Sequence, residues 1–424
     1  MMNTGLQLGK GGSWMMNRKR LSLLLSVFLL LSLFSSFVLG GTAGASSVSN
    51  WVPVWSDEFN GPNGSGPDSS KWNLETGAGG WGNNELQHYT NRTSNAYQEN
   101  GNLVIQALKE NYNGSGYTSA RLTTQNKFNL KYGRVEMRAK LPYGKGIWPA
   151  FWMLGKDIGS VGWPVSGEID IMEYVGALEP NRAYGTLHGP GYSGCCGLSG
   201  SYLHSKNLSS DYHTFALEWE PGVFKWFVDG KLFHTRTLAD AGTNAWVFDK
   251  EFFFLLNLAV GGNWPGYPDG TTVFPQKYYI DYIRVWQRAG GYNVVALKSE
   301  ANGKYVTAEH AGASPLIARS QTASGWEKFE LVDLGGGKVA LRALINNRYV
   351  SADNAGGSPL IANRETIGTW ETFELGKTAD GKQTLKALAN NQYVCADNEG
   401  ASPLIANRAT ASKWESFVLV KQNP

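Results

Sequence analysis

Cysteine is nearly absent, with three residues in 424. Disulfide staples therefore contribute little, and stability has to come from packed cores. Two of the three, Cys195 and Cys196, are neighbours, and a bond between neighbours departs from the usual Cα separation, so two free thiols are expected. No Cys/His cluster has zinc-site spacing. Charge is thin as well: 17% of residues, against roughly 25% in an average globular protein, with a net charge of +3 and no run of five like charges. That argues against nucleic acid, an anionic membrane surface or a polyanion as the main partner. Long segments with helical periodicity are missing too. What abounds is glycine, 52 residues, and aromatic side chains, 12% of the chain with 16 tryptophans. Many tight turns, many strands and a groove for an uncharged ring-shaped ligand would give that balance.

The amino terminus is a leader. Lys10, Arg18, Lys19 and Arg20 precede an apolar run over residues 21–39, and Ala43-Gly44-Ala45 fits a small-residue cleavage site. About 20 apolar residues would also serve as a membrane anchor, but the Ala-x-Ala site and the Gly/Ser-rich stretch after it favour a signal peptide over residues 1–45. Either reading exports the body of the chain, so the protein is expected outside the cell.

Residues 51–288 alternate in short runs broken by Gly, Asn, Pro and Asp. Examples are Gly133 to Lys140, Lys225 to Val228 followed by Asp229-Gly230, and Tyr279 to Trp286. Asp-Gly between apolar runs signals a hairpin. A block of this kind predicts an all-β, antiparallel sandwich of the jelly-roll, concanavalin-like type. From residue 292 to 424 the text repeats itself with a period of 44. Tyr305-Val306, Tyr349-Val350 and Tyr393-Val394 keep that spacing, as do the Ser-Pro-Leu-Ile-Ala blocks at Ser314, Ser358 and Ser402. One unit of four short strands cannot bury its own apolar face, whereas three can close around an axis. A β-trefoil is predicted.

Chemistry concentrates in Gly167-Glu168-Ile169-Asp170-Ile171-Met172-Glu173. Alternation puts Glu168 and Asp170 on one face of a strand. One extra residue, a bulge at Ile171-Met172, returns Glu173 to the same face. Three carboxylates in a row raise one another's pKa, an arrangement that is costly without a use. Glycoside hydrolysis needs one carboxylate ionised to attack and one carboxyl protonated to release the leaving oxygen. The bland alternative is a solvated strand face. Trp148 and Trp152 share a face by even spacing, residues 81–87 form a polar loop headed by Trp81, and His188 ends a strand.

Trp55-Ser56-Asp57-Glu58-Phe59, Trp81 to Gln87, Ser119-Ala120-Arg121, Trp148 to Trp152, Gly167 to Glu173, His188-Gly189 and Ile280-Asp281 together resemble the family-16 glycoside hydrolases. Within that family the resemblance is to laminarinase-like β-1,3-glucanases, and it spans about residues 51–287. It implies Glu168 as nucleophile, Asp170 as the carboxylate that tunes it, and Glu173 as general acid/base. Asn84, Arg121, Trp148, Trp152 and His188 match positions beside the cleaved bond, with Trp163 and Trp264 further out. No cofactor is implied for catalysis. Some members hold a structural calcium, here through Glu58, Gly101 and Asp281. The residue inserted between Asp170 and Glu173 favours β-1,3-glucan, with some cleavage of β-1,3-1,4-glucan allowed. Two rival readings are a hydrolase of another neutral gel polysaccharide, such as agarose, and a non-catalytic glucan-binding receptor.

The repeats resemble fascin-like β-trefoils, which include carbohydrate-binding modules. Trp326-Glu327, Trp370-Glu371 and Trp414-Glu415 survive in all three copies. An aromatic platform beside a hydrogen-bonding carboxylate suits a sugar, so a β-glucan partner for a monomeric enzyme is expected. Trp as a floor residue is the alternative. Since every assigned acid precedes residue 292, removal of the repeats is expected to spare hydrolysis of soluble glucan.

Overall fold

A computed structural model describes residues 51–424. The expected signal peptide, residues 1–45, lies outside the described residues. The only α-helix among them is a single turn, Ile158–Val161, so the fold is all-β.

Two antiparallel sheets form around the first core. One runs Lys231–Thr237, Val223–Val228, Tyr212–Glu220, Gly133–Lys140, Gln276–Arg288 and Asn102–Tyr112 through its middle. The other runs Gly200–Leu203, Arg182–His188, Glu168–Glu173, Ile147–Gly155, Phe252–Val260, Arg121–Thr123 and Asn73–Glu75. Gly133–Lys140 alternates buried and half-buried along its whole length, as a half-buried strand should. Val135, Met137, Phe215, Leu217 and Trp226 from the first sheet pack with Phe151, Met153, Ile169, Met172 and Phe254 from the second. Asp229 and Gly230 both take positive φ, 48° and 73°, in the two-residue turn joining Val223–Val228 to Lys231–Thr237. A tight hairpin turn of that handedness demands it, so the Asp-Gly signal was read correctly. This arrangement is consistent with the expected jelly-roll sandwich.

Residues 294–421 make a third sheet, of twelve strands, with a second core of its own. Val306, Val350 and Val394, with Phe329, Phe373 and Phe417, are fully buried in it. At its centre Leu316 N–H donates to the Leu360 carbonyl, Leu360 N–H to Leu404, and Leu404 N–H back to Leu316, each at 2.8 Å. The three copies thus close a ring of hydrogen bonds.

One expectation for the repeats is corrected here. Glu327, Glu371 and Glu415 are buried rather than presented to solvent. Each accepts the backbone N–H of the residue three before it, from Ser324, Gly368 and Ser412, at 2.8–2.9 Å. They tie down the turn that carries the tryptophan and are unavailable to a sugar. Trp326 and Trp370 remain 37% exposed, and Trp414 is half-buried. Beside them stand the ion pairs Arg319–Glu309, Arg364–Asp353 and Arg408–Asp397.

The two cores are joined by polar links. Arg342, buried, reaches Glu220 at 2.8 Å and Glu330 at 2.6 Å, and Arg288 pairs with Glu330. Ala239 N–H donates to the Ile345 carbonyl at 3.0 Å, and Leu238 packs against the second core.

Candidate active site

The strand Glu168–Glu173 lies between Ile147–Gly155 and Arg182–His188. Asp170 faces Trp152 and Glu173 faces Ala150, so two residues, Ile171 and Met172, stand where the neighbour has only Phe151. The expected bulge is there. It has a further effect: Ile169, Ile171 and Met172 all go into the core, which fixes the strand while its carboxylates face the other way.

Each carboxylate has its own partners. Glu168 Oε2 accepts the Trp163 indole N–H at 2.8 Å. Glu173 Oε1 accepts that of Trp148 at 3.1 Å. Asp170, between them, lies 3.1 Å from His188 Nε2 through Oδ2, and Glu168 Oε1 lies 3.8 Å from the same nitrogen. Behind the strand, Trp226 of the other sheet donates its indole N–H to the Asp170 carbonyl at 2.8 Å. That bond needs Gly185, because a Cβ there would sit 2.4 Å from the Trp226 ring. Gly197 plays a similar part under His188, where a Cβ would come within 2.6 Å of Cε1. Gly197 follows the turn holding Cys195 and Cys196, whose exposed sulfurs are free thiols 3.2 Å apart.

Trp148 and Trp152 do share a face, and Trp264 packs edge-on against Trp148 with centroids 5.7 Å apart. Asn84 donates to Asn263 at 2.9 Å, beside Trp264. Arg121 is pinned by Glu75 and lies over two indoles, Trp81 at 4.9 Å and Trp152 at 4.8 Å. Trp163 is half exposed, an indole free to meet a ligand. The expected site residues are therefore one constellation along the cleft sheet. A buried polar chain beneath them was not expected. Trp152 donates to Asn257 at 2.7 Å, Asn257 to the Tyr89 hydroxyl at 3.1 Å, and Tyr89 to Glu85 at 3.3 Å. The signal was present: Asn257 is the only polar residue in Phe252–Val260, a strand buried throughout.

The calcium set does not assemble as expected. Arg284 engages both carboxylate oxygens of Glu58, at 2.9 and 2.8 Å, and Arg138 pairs with Asp281. Guanidinium groups facing both carboxylates repel a cation. Glu58, Gly101 and Asp281 do not fit a calcium through those side chains.

Burial, then the neighbouring Asp170, pushes the Glu168 carboxyl up to about 8. Burial raises Asp170 to about 8 as well. Glu173 is held well above the usual range, by burial first and then by Asp170 and Glu168. A carboxyl whose folded pKa is raised binds more protons in the native state than unfolded, so its stabilisation is present at low pH and lost as pH climbs. Glu173→Gln is neutral at every pH and keeps an oxygen for Trp148. Its melting temperature should match wild type near pH 4 and exceed it at pH 8. Coinciding melts at both pH values would mean that Glu173 is not strained by its surroundings.

The family model for glycosyl hydrolases family 16 matches residues 83–284. A β-glucanase of Rhodothermus marinus is 41% identical over 273 residues, 62% of this chain and 94% of the relative. The chain belongs to glycosyl hydrolases family 16. It is a glycoside hydrolase. A glucan endo-1,3-β-glucosidase of Cryptopygus antarcticus is 44% identical across 56% of this chain and 92% of the relative. Among solved structures, the catalytic domain of a Thermotoga petrophila endo-1,3-β-glucanase (laminarinase) is 50% identical, with a TM-score of 0.54. It covers 57% of this chain and 99% of that one. Family-16 glucanases catalyse without a cofactor.

Proposed function

We propose that the chain is an exported, monomeric, retaining endo-hydrolase of β-1,3-glucan, with Glu168 as nucleophile and Glu173 as acid/base. The observation that carries this reading is the geometry of the row: Glu168 and Glu173 flank Asp170 on one strand, Glu168 held by Trp163 N–H beside His188 and Glu173 by Trp148 N–H. Glu168 attacks the anomeric carbon as Glu173 passes its proton to the departing oxygen. Forming the glycosyl ester erases the charge on Glu168, so the repulsion that held the proton on Glu173 falls. Glu173 then takes a proton from water, which opens the ester and restores both groups. Asp170 keeps His188 beside Glu168 throughout. Both carboxylates lie on one face of one strand, on either side of Asp170. Two displacements at the same carbon give net retention. Proton NMR of the first product from laminarin should show the β-anomer; an initial α-anomer would mean inversion and a wrong mechanism. The β-1,3 preference rests on the bulge residue and on the named activities of the relatives.

Residues 51–288 are the catalytic domain in this reading, and residues 292–424 are a β-trefoil that binds insoluble glucan. The ring of Leu316, Leu360 and Leu404 supports the trefoil. Exposed indole faces at Trp326 and Trp370, with Trp414 as the weaker third, support the binding. Three sites on one module add avidity, so single Trp→Ala variants should lose binding modestly and the triple variant should lose it altogether. The assay is a pull-down on insoluble β-1,3-glucan, with a thermal melt to show folding. A folded triple variant that still binds would exclude these indoles as the contact surface.

A further inference from the structure

Away from the cleft, His204, His213 and Asp229 converge, with one ligand-capable atom from each within 4.8 Å of the other two. They come from different sheets. His204 follows Gly200–Leu203, the outermost strand of the cleft sheet, whereas His213 lies in Tyr212–Glu220 of the other sheet and Asp229 in its outer hairpin. The two imidazoles meet edge to face with centroids 4.7 Å apart.

The hydrogen bonds select which nitrogens are free. His213 Nδ1 lies 2.7 Å from Asp229 Oδ2. Asp229 is itself fixed, since its Oδ1 accepts the Thr214 N–H at 2.9 Å. A carboxylate only accepts, so His213 carries its proton on Nδ1 and keeps a lone pair on Nε2. That Nε2 is buried without a partner, in a side chain more than nine-tenths buried. Leaving a buried polar nitrogen unpaired is costly. His204 Nδ1 accepts the Lys206 N–H at 3.0 Å and lies equally close to the Lys206 carbonyl, to which it would donate once Nε2 holds an ion. Donating Nδ1–H to a carboxylate or a backbone carbonyl while Nε2 faces a metal is how ligating histidines are generally held.

We propose that His204 and His213 bind a divalent transition-metal ion through one ring nitrogen each, with Asp229 beside them and water filling the remaining positions. Imidazole ligands favour Cu, Ni and Zn ions over Ca and Mg. An ion there would fasten the edge of the cleft sheet to the opposing hairpin. His204 N–H also donates to the Asn181 carbonyl and its own carbonyl accepts the Asn181 side-chain amide, just before the strand that ends in His188.

Cu(II) binding to the full-length chain tests this by electron paramagnetic resonance, because the nitrogen couplings count the imidazoles. The cleft trio Glu168, Asp170 and His188 offers one imidazole and this site two. Two equivalent nitrogens are expected in wild type. Saturating Zn(II) should raise the melting temperature by roughly 3 °C or more, with Mg(II) giving no such rise. His204→Ala removes one ligand without touching the His213–Asp229 pair. It should melt like wild type without metal, keep full hydrolytic activity, and lose both the two-nitrogen signal and the Zn(II) shift. Asp229→Asn should weaken Cu(II) binding about 10–100-fold. A one-nitrogen signal in wild type, a Zn(II) shift that survives His204→Ala, or an equal shift with Mg(II) would each overturn the site.

Discussion

Glu168→Gln and Glu173→Gln, made singly, are expected to cut hydrolysis of laminarin by at least roughly 10³-fold with the fold intact. The two losses should differ in kind. In the proposed mechanism Glu173 supplies a proton to the leaving oxygen, so Glu173→Gln should retain the first step on an activated aryl glycoside, whose leaving group needs no proton. Glu168→Gln has no carboxylate to attack and should fail on both substrates. Azide separates them again with alanine variants. In Glu168→Ala it occupies the nucleophile's place and gives an α-glycosyl azide; in Glu173→Ala it attacks the ester formed on Glu168 and gives a β-glycosyl azide. Near wild-type turnover in either glutamine variant, or the opposite anomers, would sink the assignment.

Arg342→Ala is expected to be the most damaging substitution outside the cleft. The guanidinium is buried between Glu220 and Glu330 and also donates to Asn347 at 2.6 Å. Removing it unpairs Glu220 and leaves the buried Glu330 with Arg288 alone, and breaking a buried pair from one side costs about 3–5 kcal/mol. The melting temperature should fall by roughly 5 °C or more. Glu220 precedes residue 292 and Glu330 follows it, so Arg342 joins the two cores rather than either alone. Wild type should accordingly show one calorimetric transition, and Arg342→Ala two. An unchanged melt would show that the network is solvated after all.

That interface revises an expectation drawn from the repeats. Period and composition alone describe a detachable module, so truncation at residue 292 looks harmless. In the fold, a Cβ on Gly222 would lie 2.4 Å from the Leu344 carbonyl oxygen, and Lys131 donates to the carbonyl of Pro424 at 2.7 Å. Truncation would bare Leu238 and unpair Glu220. Activity on soluble glucan should then fall through stability, and a substitution such as the triple tryptophan variant is the cleaner probe of binding.

What the sequence made legible was periodic or local. The bulge followed from counting residues between acids, the hairpin from Asp229-Gly230, and the threefold body from a spacing of 44. Partners brought together across sheets were not legible. Trp226 holds the Asp170 backbone from 56 residues away, and Tyr89 and Asn257 bond across 168. Nothing in local spacing encodes such distances. The glutamates of the Trp-Glu pairs failed for another reason. A residue kept in every copy can serve the turn or the ligand, and only its burial tells which.

The ring of Leu316, Leu360 and Leu404 bears on how such a gene can change. Near-identical tandem units invite unequal crossing-over, which adds or deletes whole 44-residue copies. A product with two copies, or four, would break the cycle of three N–H and three C=O groups, leaving buried donors and acceptors orphaned. Copy number is therefore locked by a few hydrogen bonds at the centre. Divergence has to proceed by point substitution within copies, as Cys395 standing in place of Ser351 and Thr307 already illustrates.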